Sequence, residues 1–367
     1  MPELSDDADK LDIAELIKEK VVGQDHAAEE LANVIITSTF RYGREERKGP
    51  RAIILFLGPP GVGKSYMAQV LSEILFPGRD SLLVLDMTEF GGSSAHAGEH
   101  ARWRLFGPPP PYVGWETGGL LTRHALQHPV SVVLIDEFEK ADPEARNVLL
   151  KIFEEGLAQD GRGRVISFRG VYFILTANVN TRQGINRIGF EHYNGNEIIT
   201  GRVSQEHLKK MLLKKGFTPE LLSRIGAHII MFNPLSEENL KEIARRKLAW
   251  LRDCVLTEDF VLLDYDEEEL SGWLVKQCGG HSDCRWLTAV FETFIETPLA
   301  KWRMNYRYRI NTPAILILKP IEDKVQFTIS EERVVPKLFE QVAAVFEHKE
   351  QRRQRQQAAR VLLGTTG

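Results

Sequence analysis

Gly58-Pro59-Pro60-Gly61-Val62-Gly63-Lys64-Ser65 follows directly on the apolar run 52–57 and opens a segment of helical periodicity at Lys64. The string has the form G-x-x-x-x-G-K-[ST], and it sits between a strand and a helix, as that form requires. Glycines let backbone N–H groups wrap phosphate oxygens, and the N-terminal end of the new helix adds partial positive charge. Lys64 can then reach the outer phosphates and Ser65 can hold Mg²⁺, which points to a nucleoside triphosphate.

Further apolar, β-rich runs at 82–85, 132–135, 171–176 and 229–232 alternate with longer segments of helical period. This alternation predicts an α/β fold with a parallel sheet flanked by helices. Near Asn233-Pro234 the pattern changes to helical stretches at 237–251 and 288–306, with a strand-like pair around 314–318 and 325–329. The expected organisation is a lead-in at 1–20, a large nucleotide-binding domain at 21–233, a smaller, mostly helical lid at 234–330, and a C-terminal helical extension at 331–367. In that extension 337–348 reads as an amphipathic helix running into a polar, basic stretch that favours a solvated tail over a nucleic-acid contact.

The run Val132-Val133-Leu134-Ile135-Asp136-Glu137 ends a buried strand in two carboxylates. Asp136 at the strand tip suits Mg²⁺, and Glu137 beside it suits the activation of water, so ATP hydrolysis is the expected reaction.

Composition excludes several classes. The chain of 367 residues, 43% hydrophobic and 27% charged with a net charge of -4, reads as globular and exerts no general pull on nucleic acid. An acidic N-terminus and the absence of a long apolar run argue against export and membrane insertion and for a cytoplasmic protein. Three cysteines, an odd number, fit a reducing compartment. Cys278, His281 and Cys284 are one ligand short of a structural zinc site, and no zinc is expected there.

The motifs resemble the AAA+ core of the Clp (heat-shock 100) unfoldases, in the form found in the second ring of the two-ring members. The likeness covers roughly residues 15–330. It is carried by Val21-Val22-Gly23-Gln24-Asp25, Leu85-Asp86-Met87-Thr88-Glu89-Phe90 and Asp136-Glu137-Phe138-Glu139-Lys140-Ala141, besides the glycine-rich string. The resemblance implies that Val21 and Val22 lie beside the adenine. It places Asn178 at sensor 1, Arg224 at the arginine finger and Arg285 at sensor 2, although Asp283-Cys284 replaces the family's usual Gly-Ala before that arginine. The implied nucleotide-binding set is Val21, Val22, Gly58, Pro59, Pro60, Gly61, Val62, Gly63, Lys64, Ser65, Tyr66, Asp136 and Arg285, with Ser65 and Asp136 on the metal. Glu137, Asn178, Arg224 and Arg285 form the implied catalytic set.

The stretch 105–119, which contains Pro108-Pro109-Pro110-Pro111-Tyr112-Val113-Gly114-Trp115, resembles the family's pore loop, with Tyr112 and Val113 in the gripping positions. A polyproline ligand and a packed structural loop are the competing readings. The segment 157–165 resembles the second pore loop and its hairpin; by itself it is a Gly/Asp turn signal. Ile188-Gly189-Phe190 resembles the tripeptide that docks on ClpP-type peptidases, against the alternative that these apolar residues fold back on the domain.

Few residues precede the core, which leads to the expectation that the larger relatives' N-terminal recognition domain and first ring are missing. The implied function is an ATP- and Mg²⁺-dependent unfoldase or remodelling motor, a homo-hexameric ring that threads protein substrates through its pore. A ClpP-type peptidase or an adaptor protein is an implied partner; membranes and nucleic acid are not. The alternative is an AAA+ switch that assembles or disassembles one dedicated complex without threading.

Overall fold

The structure is a computed structural model and describes residues 13–40, 42, 48–90, 97–112, 115–179, 205–306 and 314–330. Val113, Ile188, Gly189, Phe190 and the C-terminal extension lie outside the described residues. The chain divides into two compact units, the first ending at Asn233 and the second beginning at Pro234.

In the first unit, β1 (Ala52–Gly58), β2 (Leu82–Asp86), β3 (Val132–Asp136), β6 (Tyr172–Asn178) and β7 (Ile229–Met231) form one sheet in the order β2-β3-β6-β1-β7. Every pairing is parallel. Parallel strands covered on both faces need near-continuous apolar sequence, and all seven residues of β1 are buried. The sheet is accompanied by α1 (Ile13–Lys18), α2 (Asp25–Phe40), α3 (Lys64–Leu75), α4 (Ala97–Phe106), α5 (Leu120–Gln127), α6 (Pro143–Glu155), α7 (Gln205–Lys214) and α8 (Pro219–Ile225). The expected α/β class therefore holds, and strand ends differ from the sequence reading by only a residue or two.

Local signals set the helix ends. Asp142 caps α6 by accepting from the N–H of Glu144, Pro143 fills the first turn where no N–H is needed, and Gly156 ends the helix in the left-handed region at φ 67°. Thr218 and Pro219 start α8 in the same way, with the Thr218 hydroxyl accepting from the N–H of Leu221 at 3.2 Å.

The 157–165 segment is a real hairpin: β4 (Leu157–Gln159) pairs antiparallel with β5 (Val165–Ser167). The side chain of Asp160 closes the turn, accepting from the N–H groups of Arg162 and Arg164 at 2.9 Å each and from Arg164 Nε at 2.7 Å. Burial alone would push the Asp160 carboxyl up, but these donors outweigh it and hold the group below the usual carboxylate range.

The second unit contains α9 (Glu237–Asp259), β8 (Val261–Asp264), α10 (Glu267–Gln277), α11 (Cys284–Phe291), a wider π-type turn over Glu292–Glu296, α12 (Thr297–Tyr306), β9 (Ala314–Ile321) and β10 (Lys324–Ile329). The strand-like pair seen in the sequence is an antiparallel β9–β10 ladder, and β8 adds a third, parallel strand that the sequence reading missed. Helix begins at Cys284, not 288, because the Asp283 carboxylate accepts from the N–H groups of Arg285 and Trp286. Pro298, which has no N–H to donate, falls just after the π-type turn. The Cys278 thiol donates to Leu274 O at 3.5 Å and His281 stacks on Trp286 at 4.3 Å, so both groups have protein partners. No described helix is long and apolar enough to cross a membrane.

Candidate functional site

The parallel register brings the carboxyl ends of three strands side by side. Gly58 at the end of β1 faces Asn178 at the end of β6, and β3 flanks β6 on its other side. Ligand sites of parallel α/β sheets form at such strand ends. The glycine-rich string leaves β1 here. Gly61 at φ 71° and Gly63 at φ 95° adopt left-handed backbone that other residues rarely take, turning the chain into the N-terminus of α3. Gly58 serves close packing instead, since a Cβ there would lie 2.7 Å from Phe232 O and 2.8 Å from Phe232 Cβ.

Lys64, buried at the start of α3, donates from Nζ to Gly58 O at 2.9 Å, Pro59 O at 2.5 Å and Asn178 Oδ1 at 3.0 Å. The other half of the Asn178 amide, Nδ2, donates to Glu137 Oε1 at 3.0 Å. Only one orientation of the amide satisfies both bonds, which fixes it between the ammonium and the carboxylate.

The two acids diverge by backbone geometry. Ser65 Oγ bonds the Asp136 carboxylate at 2.9 and 3.1 Å, joining the first turn of α3 to the tip of β3. Glu137 follows with φ 53° and ψ 47°, a left-handed conformation that costs a non-glycine residue about 1–3 kcal/mol and turns its side chain toward Asn178. The buried Thr176 hydroxyl organises this corner: it donates to Asp136 Oδ1 and accepts the Glu137 N–H at 3.0 Å. Lys140 pairs with Glu137 Oε2 at 2.6 Å, and Glu139 Oε1 accepts the Asn178 N–H at 2.9 Å.

The residue chemistry fits a triphosphate with a hard divalent cation. An ammonium and a helix N-terminus supply positive charge for phosphate oxygens, and a hydroxyl beside a carboxylate is an oxygen donor set suited to Mg²⁺. Val21 is buried beside the glycine-rich string, its Cγ1 being the nearest atom, at 3.9 Å, to a Cβ built on Gly63. Gln24, also buried, donates to Val62 O at 3.3 Å and exchanges bonds with the backbone of Asn233 at 2.8 and 3.0 Å.

Lys64, Ser65, Asp136, Glu137 and Asn178 are thus brought together. Arg224 stands apart on α8, half-exposed and paired with Glu154 at 3.3 Å. Arg285 belongs to the second unit, exposed on the first turn of α11. Tyr112 is 54% exposed, and its ring rests on Trp103 of α4 with centroids 4.8 Å apart. Trp115 meets Arg162 of the β4–β5 turn, which stacks its guanidinium 5.6 Å from the indole centre. Sequence reasoning missed Thr176, Gln24 and Glu139 as members of the site. Thr176 could have been found as the one aliphatic hydroxyl in the otherwise apolar β6 run, two residues before Asn178.

The sequence profile of the AAA domain (Cdc48 subfamily) matches residues 49–228. The chain is 34% identical over 314 residues to the chaperone protein ClpB of Vibrio cholerae, covering 84% of this chain and 34% of that protein. It is 35% identical over 266 residues to the probable chaperone protein ClpB 1 of Chlorobaculum tepidum, covering 72% of this chain and 58% of that protein. ClpB of Lactococcus lactis is 32% identical over 326 residues, covering 87% of this chain and 35% of that protein. The chain therefore spans between a third and three fifths of the length of these relatives. With the parallel sheet, the glycine-rich turn and the paired acids in register, the chain belongs to the Clp-type AAA+ family.

Proposed function

We propose that this chain is a Mg²⁺-dependent ATPase that works as a ring, a homo-hexamer, and converts hydrolysis into pulling on polypeptide. The observation that carries the reading is the continuous bond path Lys64–Asn178–Glu137, which ties the phosphate-binding string to the acid positioned to activate water. Lys64 and the α3 N-terminus bind the outer phosphates; Ser65 and Asp136 hold Mg²⁺, which when bound neutralises charge on the phosphate oxygens. Glu137 accepts a proton from water, and Asn178 orients it. Arg224, held half-exposed by Glu154, reaches the site of an adjacent subunit, while Val22 completes the nucleotide contacts.

Tyr112 would grip substrate. A flat, half-exposed aromatic ring engages any chain without reading its sequence, and Trp103 beneath it gives the ring a firm backing. Val113 shares this role, and Ile188-Gly189-Phe190 would dock a ClpP-type peptidase. A cytoplasmic location accords with the odd number of cysteines, three, in the sequence.

The test is unfolding of a tagged fluorescent protein per ATP hydrolysed. Wild-type protein should unfold it only with ATP, and Tyr112→Ala should lose most of that yield. ATP turnover with no unfolding of any tagged substrate by the wild type would favour the assembly switch instead.

A further inference from the structure

Arg146, in the first turns of α6, binds three backbone carbonyls at once. Its Nε donates to Ala141 O at 2.9 Å, Nη2 to Glu139 O at 3.0 Å and Nη1 to Gly216 O at 2.7 Å. The first two acceptors lie in the segment that follows Asp136 and Glu137. The third lies in the turn between α7 and α8, two residues before the Thr218 cap of the helix that carries Arg224. Gly216 is shaped for this contact: its φ is 86°, and a Cβ there would lie 2.2 Å from Arg146 Nη1. Beside it, the buried rings of Phe138 and Phe217 touch, with centroids 5.3 Å apart, joining the same two segments a second time.

The far end of α6 adds a third link. Glu154, two turns further on, pairs with Arg224 itself. One helix therefore fastens the segment after the acids at its start and the Arg224 side chain at its end. A guanidinium presents five N–H groups in a fixed plane and can serve three acceptors, whereas a lysine ammonium at the same place cannot span them in that geometry.

We propose that Arg146 is a positioning residue that locks the segment bearing Glu137 to the segment bearing Arg224, so that a subunit's own nucleotide site and the arginine it offers its neighbour keep one register. The proposal rests on the reading of Arg224 as a group acting on the adjacent subunit's site. It adds that the arginine's placement follows the state of its own subunit's acids.

A double-mutant cycle on the full chain tests this. ATP hydrolysis and fluorescent-nucleotide binding are measured for wild type, R146K, R224A and the double variant. We expect R146K to keep nucleotide affinity within about twofold and to lower kcat roughly tenfold to a hundredfold, as a displaced reacting group does. R224A should lower kcat by about a thousandfold or more. The double variant should match R224A within about twofold, because a residue acting through Arg224 has nothing left to act on. Multiplication of the two losses, as a purely structural role gives, overturns the proposal; so does R146K at wild-type kcat. If R146K does not fold, Gly216→Ala, which keeps the arginine but drives a Cβ into it, takes its place in the same cycle. R224A at wild-type kcat removes the reading of Arg224 and the proposal with it, and is told apart because the loss is then missing from R224A itself.

Discussion

Asn178 Nδ2 donates to Glu137 Oε1 at 3.0 Å, so the acid proposed to activate water is aimed by the residue that also receives Lys64. Without that amide, Glu137 keeps Lys140 as a partner but loses its tie to the phosphate-binding string. Asn178→Ala should therefore lower kcat by about 10²–10³, the scale of losing one oriented polar group in a reaction site. Nucleotide affinity should move only a few-fold in a fluorescent-nucleotide titration. A wild-type kcat would remove Asn178 from the reaction.

Gly58→Ala tests packing at the end of β1. Its new methyl would meet the backbone and Cβ of Phe232, atoms that cannot swing away. Overpacking of this kind costs about 1–3 kcal/mol, which a urea unfolding curve resolves. The displaced turn should also weaken nucleotide binding. An unchanged midpoint would mean that β1 and the chain after β7 can separate freely.

Asp160 holds the β4–β5 turn through three donors, and its side chain is wholly buried. Asp160→Ala leaves two N–H groups and a guanidinium facing an empty space. The turn should open, and limited proteolysis should cut after Arg162 or Arg164 well before wild-type protein is cut. Equal cleavage rates would show that the β4–β5 ladder alone holds the turn.

His124 on α5 supplies a pH dependence. Burial, with the neighbouring His128 adding to it against a smaller opposing pull from Asp80, pushes its pKa down to about 4, and its Nε2 has no hydrogen-bond partner. The folded state keeps this imidazole neutral, while the unfolded chain protonates it near pH 6.5. Stability is therefore undiminished by this group above about pH 6.5 and falls as pH drops from there toward 4, by a total on the order of 3 kcal/mol. Urea midpoints at pH 7.5 and 5 should differ more for wild type than for His124→Gln. Parallel pH profiles for the two would place the loss elsewhere.

Much of this was legible in the residues because its signals are local. A glycine-rich turn needs φ values that only glycine takes readily, and a two-faced buried strand needs an unbroken apolar run, so the string at Gly58–Ser65 and β1, β3 and β6 could be read directly. The tip of β3 announces two acids but not their divergence, since the left-handed turn at Glu137 depends on the Thr176 hydroxyl one strand away. Gln24 reaches Asn233 across 209 positions, and Arg146 reaches Gly216 across 70; no period or motif encodes such contacts. β8 escaped notice because four residues directly after a long helix look like its continuation.

If hydrolysis is completed between subunits, two crippled chains should rescue each other when mixed. Glu137→Gln lacks the base but keeps Arg224; Arg224→Ala lacks the arginine but keeps Glu137. Each alone should hydrolyse ATP at no more than about a thousandth of the wild-type rate. A mixture in equal amounts should recover a readily measured fraction of wild-type turnover, as one chain lends its arginine to the other's intact base. A mixture as silent as its components, under conditions where the two chains demonstrably assemble together, would contradict the account.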